Sequence, residues 1–378
     1  MAIAPSAPDA SPTGSPDARQ AALRELDSYA RSNVQHSRRQ YARHGTLHDQ
    51  AREALTDPDV WHRPWVPDDF DVGEARTHPV FEGWSSAQQL AWNHLQWGLE
   101  YGVVGQGERQ IVVLNKYAVK AYRDVLPSVV ALEERESFEE VDHLEAFAVG
   151  LEGLRARYLP HRRRPLYAHC PSGFSSERLN RVVRHGIGMV AEKVLGRNFP
   201  TIFFLTRGIK THNFKPFENA IASFADAPEG IRQVSHLHRL DESRHMATAL
   251  YLAKLSNAVL EAVPQEGRLL LEAGVKAAWP PGRVVETRLA YWRTVLAEAA
   301  PYRSVSQRDK DALYAHLAAN SRENLLALHE RQQRLTRQAN KRIVEECGLD
   351  PSLKRAFVEA LRADPYSAAL VEAVELAA

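Results

Sequence analysis

The stretch HLHRLDESRH, residues 236–245, decides the reading of the whole chain. His238, Glu242 and His245 stand at i, i+4 and i+7. At about 100° per residue a helix gathers them within an arc of roughly 60° on one face. Two imidazoles and a carboxylate aimed one way suit iron, manganese or zinc rather than calcium or magnesium, which favour all-oxygen sites. Leu240 and Asp241 precede Glu242, so this is not the His-Glu-x-x-His of zinc proteases. The competing reading is a solvated helix face that happens to be rich in histidine and acid.

A second stretch, EEVDHLEAF at 139–147, places Glu140 and His143 at i and i+3 on one helix face. Alone it would read as a surface pair, but Glu242 and His245 repeat its spacing on a separate helix. Two Glu-x-x-His motifs plus one Glu from each of two further helices form the inward-facing ligand set of a ferritin-like di-iron bundle. The expected fold is therefore all-α, a ferritin-like helix bundle with extra helices at both ends.

The remaining ligands follow from hairpin register. Glu108 sits in GVVGQGERQIVVLN, residues 102–115, an apolar and Gly-rich run where a lone charge is unexpected. With a turn near Pro127, antiparallel helices rising about 1.5 Å per residue bring Glu108 level with Glu140. Glu100, on the same helix, is the second choice. In the second hairpin the turn falls at 226–230, and the position level with Glu242 lies near 212. His212 occupies it, in GIKTHNFKPFENA at 208–220, while the nearest carboxylate, Glu218, lies closer to the turn. Pro216 is able to shift this register, so the expected ligand here is one of Glu218 or His212. Glu192 stands behind both because Pro200 separates it from this helix.

Taken together, these pieces resemble the p-aminobenzoate N-oxygenase family of di-iron enzymes over about residues 85–260. Glu140 and His143 match its Glu-x-x-His. His238, Glu242 and His245 match its later His-x3-Glu-x2-His, whose first histidine adds a third imidazole to the ferritin-like set. The run LAWNHLQWGLEYGVVGQGERQIVVLN, residues 90–115, is similar to the family's first metal-bearing helix, with Glu108 at the ligand position. The resemblance implies two Fe ions bridged by carboxylates and O2 as co-substrate. Oxygen would pass to an amine nitrogen, giving a hydroxylamine, nitroso or nitro product in secondary-metabolite biosynthesis. The substrate is then a small-molecule amine or a carrier-tethered amino acid.

Other residues near the ligands invite roles. Asp241 and Asp142, each next in sequence to a ligand, are placed to orient imidazoles. Arg109, Arg207 and Arg244 are the candidates for meeting a substrate carboxylate bidentately. No Gly-x-Gly-x-x-Gly follows a strand and no phosphate loop is present, so an external ferredoxin or reductase is expected to supply electrons. The same ligands also serve a di-iron C-hydroxylase or desaturase. In a haem-oxygenase-like di-metal oxidase Glu136 would pair with His143 and Glu140 would be incidental. A zinc hydrolase and a non-catalytic helical binding module complete the alternatives.

Composition sets the frame. A chain of 378 residues, 44% apolar and 25% charged, buries a large core without staples. Lys plus Arg number 48 against 47 for Asp plus Glu, so no global field favours nucleic acid or an anionic membrane. Cys170 and Cys347 lie far apart, which argues against disulfide, zinc-knuckle or iron–sulfur frameworks and fits a reducing cytoplasm. No window approaches the roughly 18–20 apolar residues of a membrane span. Residues 1–17 read as a disordered tail, 18–83 as N-terminal helices and a Pro/Trp-rich crossover, 84–262 as the di-iron bundle, and 263–378 as C-terminal helices packing on it. A homodimer is the base-rate expectation.

Overall fold

The computed structural model describes residues 16–68, 75–163, 177–195, 199–259, 284–346 and Arg355. The helices are α1 (Pro16–His44), α2 (Leu47–Thr56), the single-turn α3 (Pro79–Glu82), α4 (Ser86–Ala118), α5 (Pro127–Tyr158), α6 (Glu177–Leu195), α7 (Phe199–Ser223), α8 (Glu229–Val259), α9 (Val284–Glu298) and α10 (Gln307–Glu346). No strand occurs among the described residues, and the architecture is an all-α helical bundle with further helices before and after it. No described helix is long and apolar enough to cross a membrane. Pro16 and Asp17, the last two residues of the expected tail, belong to α1. Residues 1–15 and both cysteines lie outside the described residues.

Local signals explain most boundaries. Gly45, at φ 77°, ends α1 in the left-handed region, and Thr46 then caps α2 by accepting from the Asp49 N–H. Ser85 and Gln88 form a reciprocal capping box at the start of α4. Pro127 opens α5 at its first turn, where its missing N–H costs no helical bond. The register break expected at Pro216 does not occur as a break in the helix: α7 runs unbroken from Phe199 to Ser223 through it.

Two hairpins form the centre, α4 packed along α5 and α7 along α8, while α1 and α2 lie across α5 and α8. Every residue of α4 from Ala91 to Gly102 is buried, which places this helix inside the protein rather than on its surface. The Pro/Trp crossover is tied to it: Asn93 accepts from the Trp65 and Val66 N–H groups and donates to the Val66 carbonyl. His94 bonds Tyr158 Oη at 2.6 Å and the Arg63 carbonyl at 2.8 Å, so it is a core histidine. On the opposite flank, Trp292 of α9 stacks on Trp92 at 3.7 Å, and Tyr291 donates to the Leu95 carbonyl. These contacts hold the N-terminal half of α4, and Glu108 lies farther along the same helix.

Candidate metal centre

Three helices converge on one buried cluster. Glu108 comes from α4, Glu140 and His143 from α5, and His238, Glu242 and His245 from α8. They form two groups whose potential ligand atoms lie within 4.8 Å of one another: Glu108, His143, His238 and Glu242 in one, and Glu140, Glu242 and His245 in the other. Glu242 belongs to both. His238 Nε2 stands 2.9 Å from Glu108 Oε1. His143 Nδ1 is 3.7 Å from both Glu108 Oε1 and Glu242 Oε1, and His245 Nδ1 is 3.1 Å from both Glu140 and Glu242. All six residues are buried, so the helix face of 238–245 is no solvated surface.

Each imidazole turns one nitrogen into this cluster and gives the other to a carboxylate. His143 Nε2 donates to Asp241 at 3.2 Å, His245 Nε2 donates to Glu139 at 2.8 Å, and His238 Nδ1 donates to Glu218. All three partners cross between helices: the acid just before Glu242 on α8 serves the α5 histidine, the acid just before Glu140 on α5 serves His245 of α8, and Glu218 of α7 serves His238 of α8. Such partners fix which ring nitrogen faces inward and raise its basicity as a ligand. They are anchored in turn. Arg244 donates to Asp241 and stands 2.8 Å from Glu139, Gln40 of α1 donates to Asp241 at 2.7 Å, and Ser37 donates to Glu139.

Several sequence expectations change here. Glu218 faces the outer nitrogen of His238 and belongs to neither ligand group, because its position near the turn places it beyond the level of Glu242. The His212 side chain lies outside the described residues, so the third-helix ligand is not assigned among them. Arg207 and Arg244, expected to meet a substrate carboxylate, are both engaged by carboxylates of the protein itself. Arg207 donates to Glu136 at 2.9 Å and to Glu140 at 2.7 Å, deep in the core, and Arg244 is engaged as just described. Arg109, by contrast, lines a cleft. Asp142 orients no imidazole: it accepts from the Leu47 and His48 N–H groups and from Tyr41. Glu100 pairs with Arg288 and Glu192 with Lys120 at the surface. Glu136, whose carboxylate meets Arg207, stands outside both groups, one of which includes Glu140. The sequence reading missed Glu139, Ser37 and Gln40, although an acid immediately before each ligand Glu, in Glu139-Glu140 and Asp241-Glu242, was the available signal.

The electrostatics fit a cation. Burial by itself pushes an imidazole down, yet the surrounding carboxylates overcome it, raising His143 and His245 well above their ordinary value and His238 to about 10. Burial pushes Glu139 up, but His245 and Arg244 overcome this and hold it at about 2. Glu108 Oε2, Glu140 Oε2 and His143 Nδ1 are buried without a hydrogen-bond partner. Stranding such atoms costs free energy unless a cation or proton meets them, and these are ligand-type atoms of the two groups. The residues therefore fit a metal ion.

No family model matches the chain, and the comparisons with curated proteins and with solved structures find no match either.

Proposed function

We propose that the chain is a di-iron oxygenase of the ferritin-like kind that oxidises the nitrogen of an amine, drawing electrons from an external ferredoxin or reductase. One observation carries the metal part of this reading: Glu242 is common to two adjacent carboxylate–imidazole groups, the arrangement a bridging ligand between two ions needs. Glu108, His143 and His238 would hold one iron, Glu140 and His245 the other, with Glu242 between them. The mixed oxygen and nitrogen donor set, free of thiolate, suits iron. When bound, an iron pair of this kind supplies the redox chemistry that activates dioxygen. The choice of nitrogen as acceptor rests on the likeness of the two motifs to p-aminobenzoate N-oxygenases.

The chain's own contribution is positional. Asp241, Glu139 and Glu218 set the three imidazole rings by holding their outer nitrogens. Arg207 holds Glu140 from behind, and its pairing with Glu136 keeps the guanidinium in place. Phe147 and Tyr101 pack their rings on His238, at 5.0 and 6.2 Å between centroids, and exclude water from that side.

The test is metal content after anaerobic loading with ferrous iron, followed by oxygen uptake and a visible absorbance scan when air is admitted. Two irons per wild-type chain, a clear loss in Glu242→Ala, and an oxygen-dependent absorbance change are expected. Wild-type protein that binds no iron, or a Glu242→Ala variant that binds as much, would defeat the proposal.

A further inference from the structure

Helix α1 lies against α5 and α8, and its side chains divide into an inner and an outer face. Ser37 and Gln40, three residues apart and so on one side of the helix, turn inward. Ser37 donates to Glu139, and Gln40 donates to Asp241 at 2.7 Å. Those acids accept in turn from His245 at 2.8 Å and His143 at 3.2 Å. Helix α1 is thereby two hydrogen bonds away from one imidazole of each ligand group. Between the two inward residues in sequence stand Arg38 and Arg39, both exposed.

The outer face is basic without interruption. From Ser28 to His48 the chain carries four arginines, three histidines and no acid. Arg31 pairs with Asp27, whereas Arg38, Arg39 and Arg43 are exposed and meet no carboxylate among the described residues. On α8 the acids between 230 and 259 are Asp241 and Glu242, both buried, and Arg239 bonds Asn219 and His236 rather than an acid. The exposed acids of α5 nearest in sequence to Phe138 are Glu134 and Glu145. Apolar side chains border the arginines: Phe138 is 49% exposed and Leu240, next to Asp241, is 37% exposed. Phe138 packs on Tyr41 of α1 at 5.9 Å, with Arg135 over both rings. In a chain with a formal charge of +1, this strip is a local field rather than part of a general one.

We propose that the outer face of α1 docks an acidic protein that carries single electrons, Arg38, Arg39 and Arg43 meeting its carboxylates and Phe138 and Leu240 packing at the rim. That the partner carries electrons rests on the di-iron reading above; that it is acidic rests on the strip alone. Exposed apolar groups beside the arginines suit a protein surface better than a phosphate backbone, whose interfaces are more polar. Opposite charge steers such an encounter, and electron-transfer complexes are small and transient. One helix, about 10–12 Å across with its side chains, then separates carrier from cluster. Each carrier gives one electron and leaves oxidised, so two encounters bring two ferric ions to the ferrous state.

The experiment is calorimetric titration of the full metal-free chain at low salt with two acidic carriers, a plant-type [2Fe–2S] ferredoxin and a flavodoxin, with basic cytochrome c and duplex DNA as contrasts. Binding of at least one acidic carrier is expected, weakened by salt, and none of cytochrome c. The double variant Arg38→Glu/Arg39→Glu should weaken it at least about tenfold, while Arg38→Lys/Arg39→Lys stays within about threefold and Arg303→Glu, an exposed arginine off α1, within about twofold. Thermal midpoints check that each variant is folded. With iron-loaded chain, reduction of the ferric ions by the reduced carrier should slow by the same factor as binding weakens. Binding of neither carrier, binding that the double charge reversal leaves intact, or DNA bound through these arginines more tightly than either carrier overturns the inference. A chain that takes up iron and consumes oxygen on chemical reduction, yet binds neither carrier, overturns the docking surface alone. Carrier bound through Arg38 and Arg39 by a chain that takes up no iron sustains the acidic docking surface and removes the oxygenase reading.

Discussion

Asp241 and Asp142 each sit next to a residue of the buried cluster in sequence, yet the structure gives them different work, and replacing each by alanine separates support of an imidazole from support of a helix. Asp241 accepts from His143 Nε2 at 3.2 Å and is itself held by Arg244 and Gln40. Asp241→Ala frees the His143 ring to rotate and removes the charge that raises its basicity. Losing such an outer partner typically lowers metal affinity about 10–100-fold, or about 1.4–2.7 kcal/mol. Asp142 instead accepts from the first N–H groups of α2, at 2.7 and 3.1 Å, and from Tyr41 at 3.0 Å. Asp142→Ala strands buried donors at a helix start and should cost about 1–3 kcal/mol of folding stability, with metal affinity within about twofold of wild type, since no imidazole loses a partner. Anaerobic competition for ferrous or cobaltous ion against a chromophoric chelator measures the first quantity and denaturant unfolding the second. If the two variants show the same profile, or if folded Asp241→Ala keeps wild-type affinity, the assignment of the carboxylates to the imidazoles is wrong.

Three further outcomes follow from the same geometry. Glu140→Ala should lower the bound metal per chain while Glu136→Ala leaves it at the wild-type figure, because only Glu140 joins a ligand group; the reverse result in metal analysis would transfer the role to Glu136. Arg207→Met leaves Glu136 and Glu140 buried without their cation and should destabilise the metal-free protein by about 3–5 kcal/mol in urea unfolding; a change below about 1 kcal/mol would show that the guanidinium is not what compensates these acids. Burial pushes His94 down to about 4 from an ordinary 6.5, so the unfolded chain takes up this proton first and the contribution present above pH 6.5 is lost as pH falls toward 4. Between pH 7 and 5 the wild type should lose about 2 kcal/mol more than His94→Gln, read from unfolding free energies at each pH.

The elements most readable in the sequence are those set by local chemistry. Helix α5 begins at Pro127, and α6 and α8 fall where apolar spacing and turn residues place them, since caps, prolines and periodicity act within a few residues. The clustering of side chains from α5 and α8 was equally accessible, because a repeated Glu-x-x-His spacing is hard to mistake once it occurs twice. Glu108 needed only the assumption of a straight antiparallel hairpin. What failed was what depends on distant parts of the chain. Glu218 looked like a ligand because it is the nearest acid to the required level, but its relation to His238 is fixed by how α7 lies against α8. Arg207 and Arg244 looked available because sequence does not reveal that Glu136, Glu139 and Glu140 occupy them. Ser37 and Gln40 sit on α1, far from any motif, and reach the centre only because α1 crosses α5 and α8.

The charge balance of the bundle explains why these distant residues belong to the site. Glu108, Glu133, Glu136, Glu139, Glu140, Glu218, Asp241 and Glu242 are all buried around the centre, against the buried guanidinium groups of Arg207 and Arg244. So many carboxylates in a low-dielectric core cannot all remain ionised without cations, and each unpaired one costs several kcal/mol. Protonation meets part of the demand: burial, then the neighbouring Glu136, raises Glu133 to about 8, so it is largely neutral near pH 7 and adds no further negative charge. Burial pushes Glu139, Glu140 and Asp241 up, but imidazoles and arginines hold them down, so Glu140 stays anionic within its group and the other two stay anionic partners of the imidazoles. Two divalent ions would bring four positive charges to the place where the ionised acids concentrate. On this balance the arginines serve as fixed counter-charges to the outer carboxylates, leaving the inner ones for metal, and α1 is needed because Glu139 and Asp241 depend on its hydroxyl and amide to complete their hydrogen bonds.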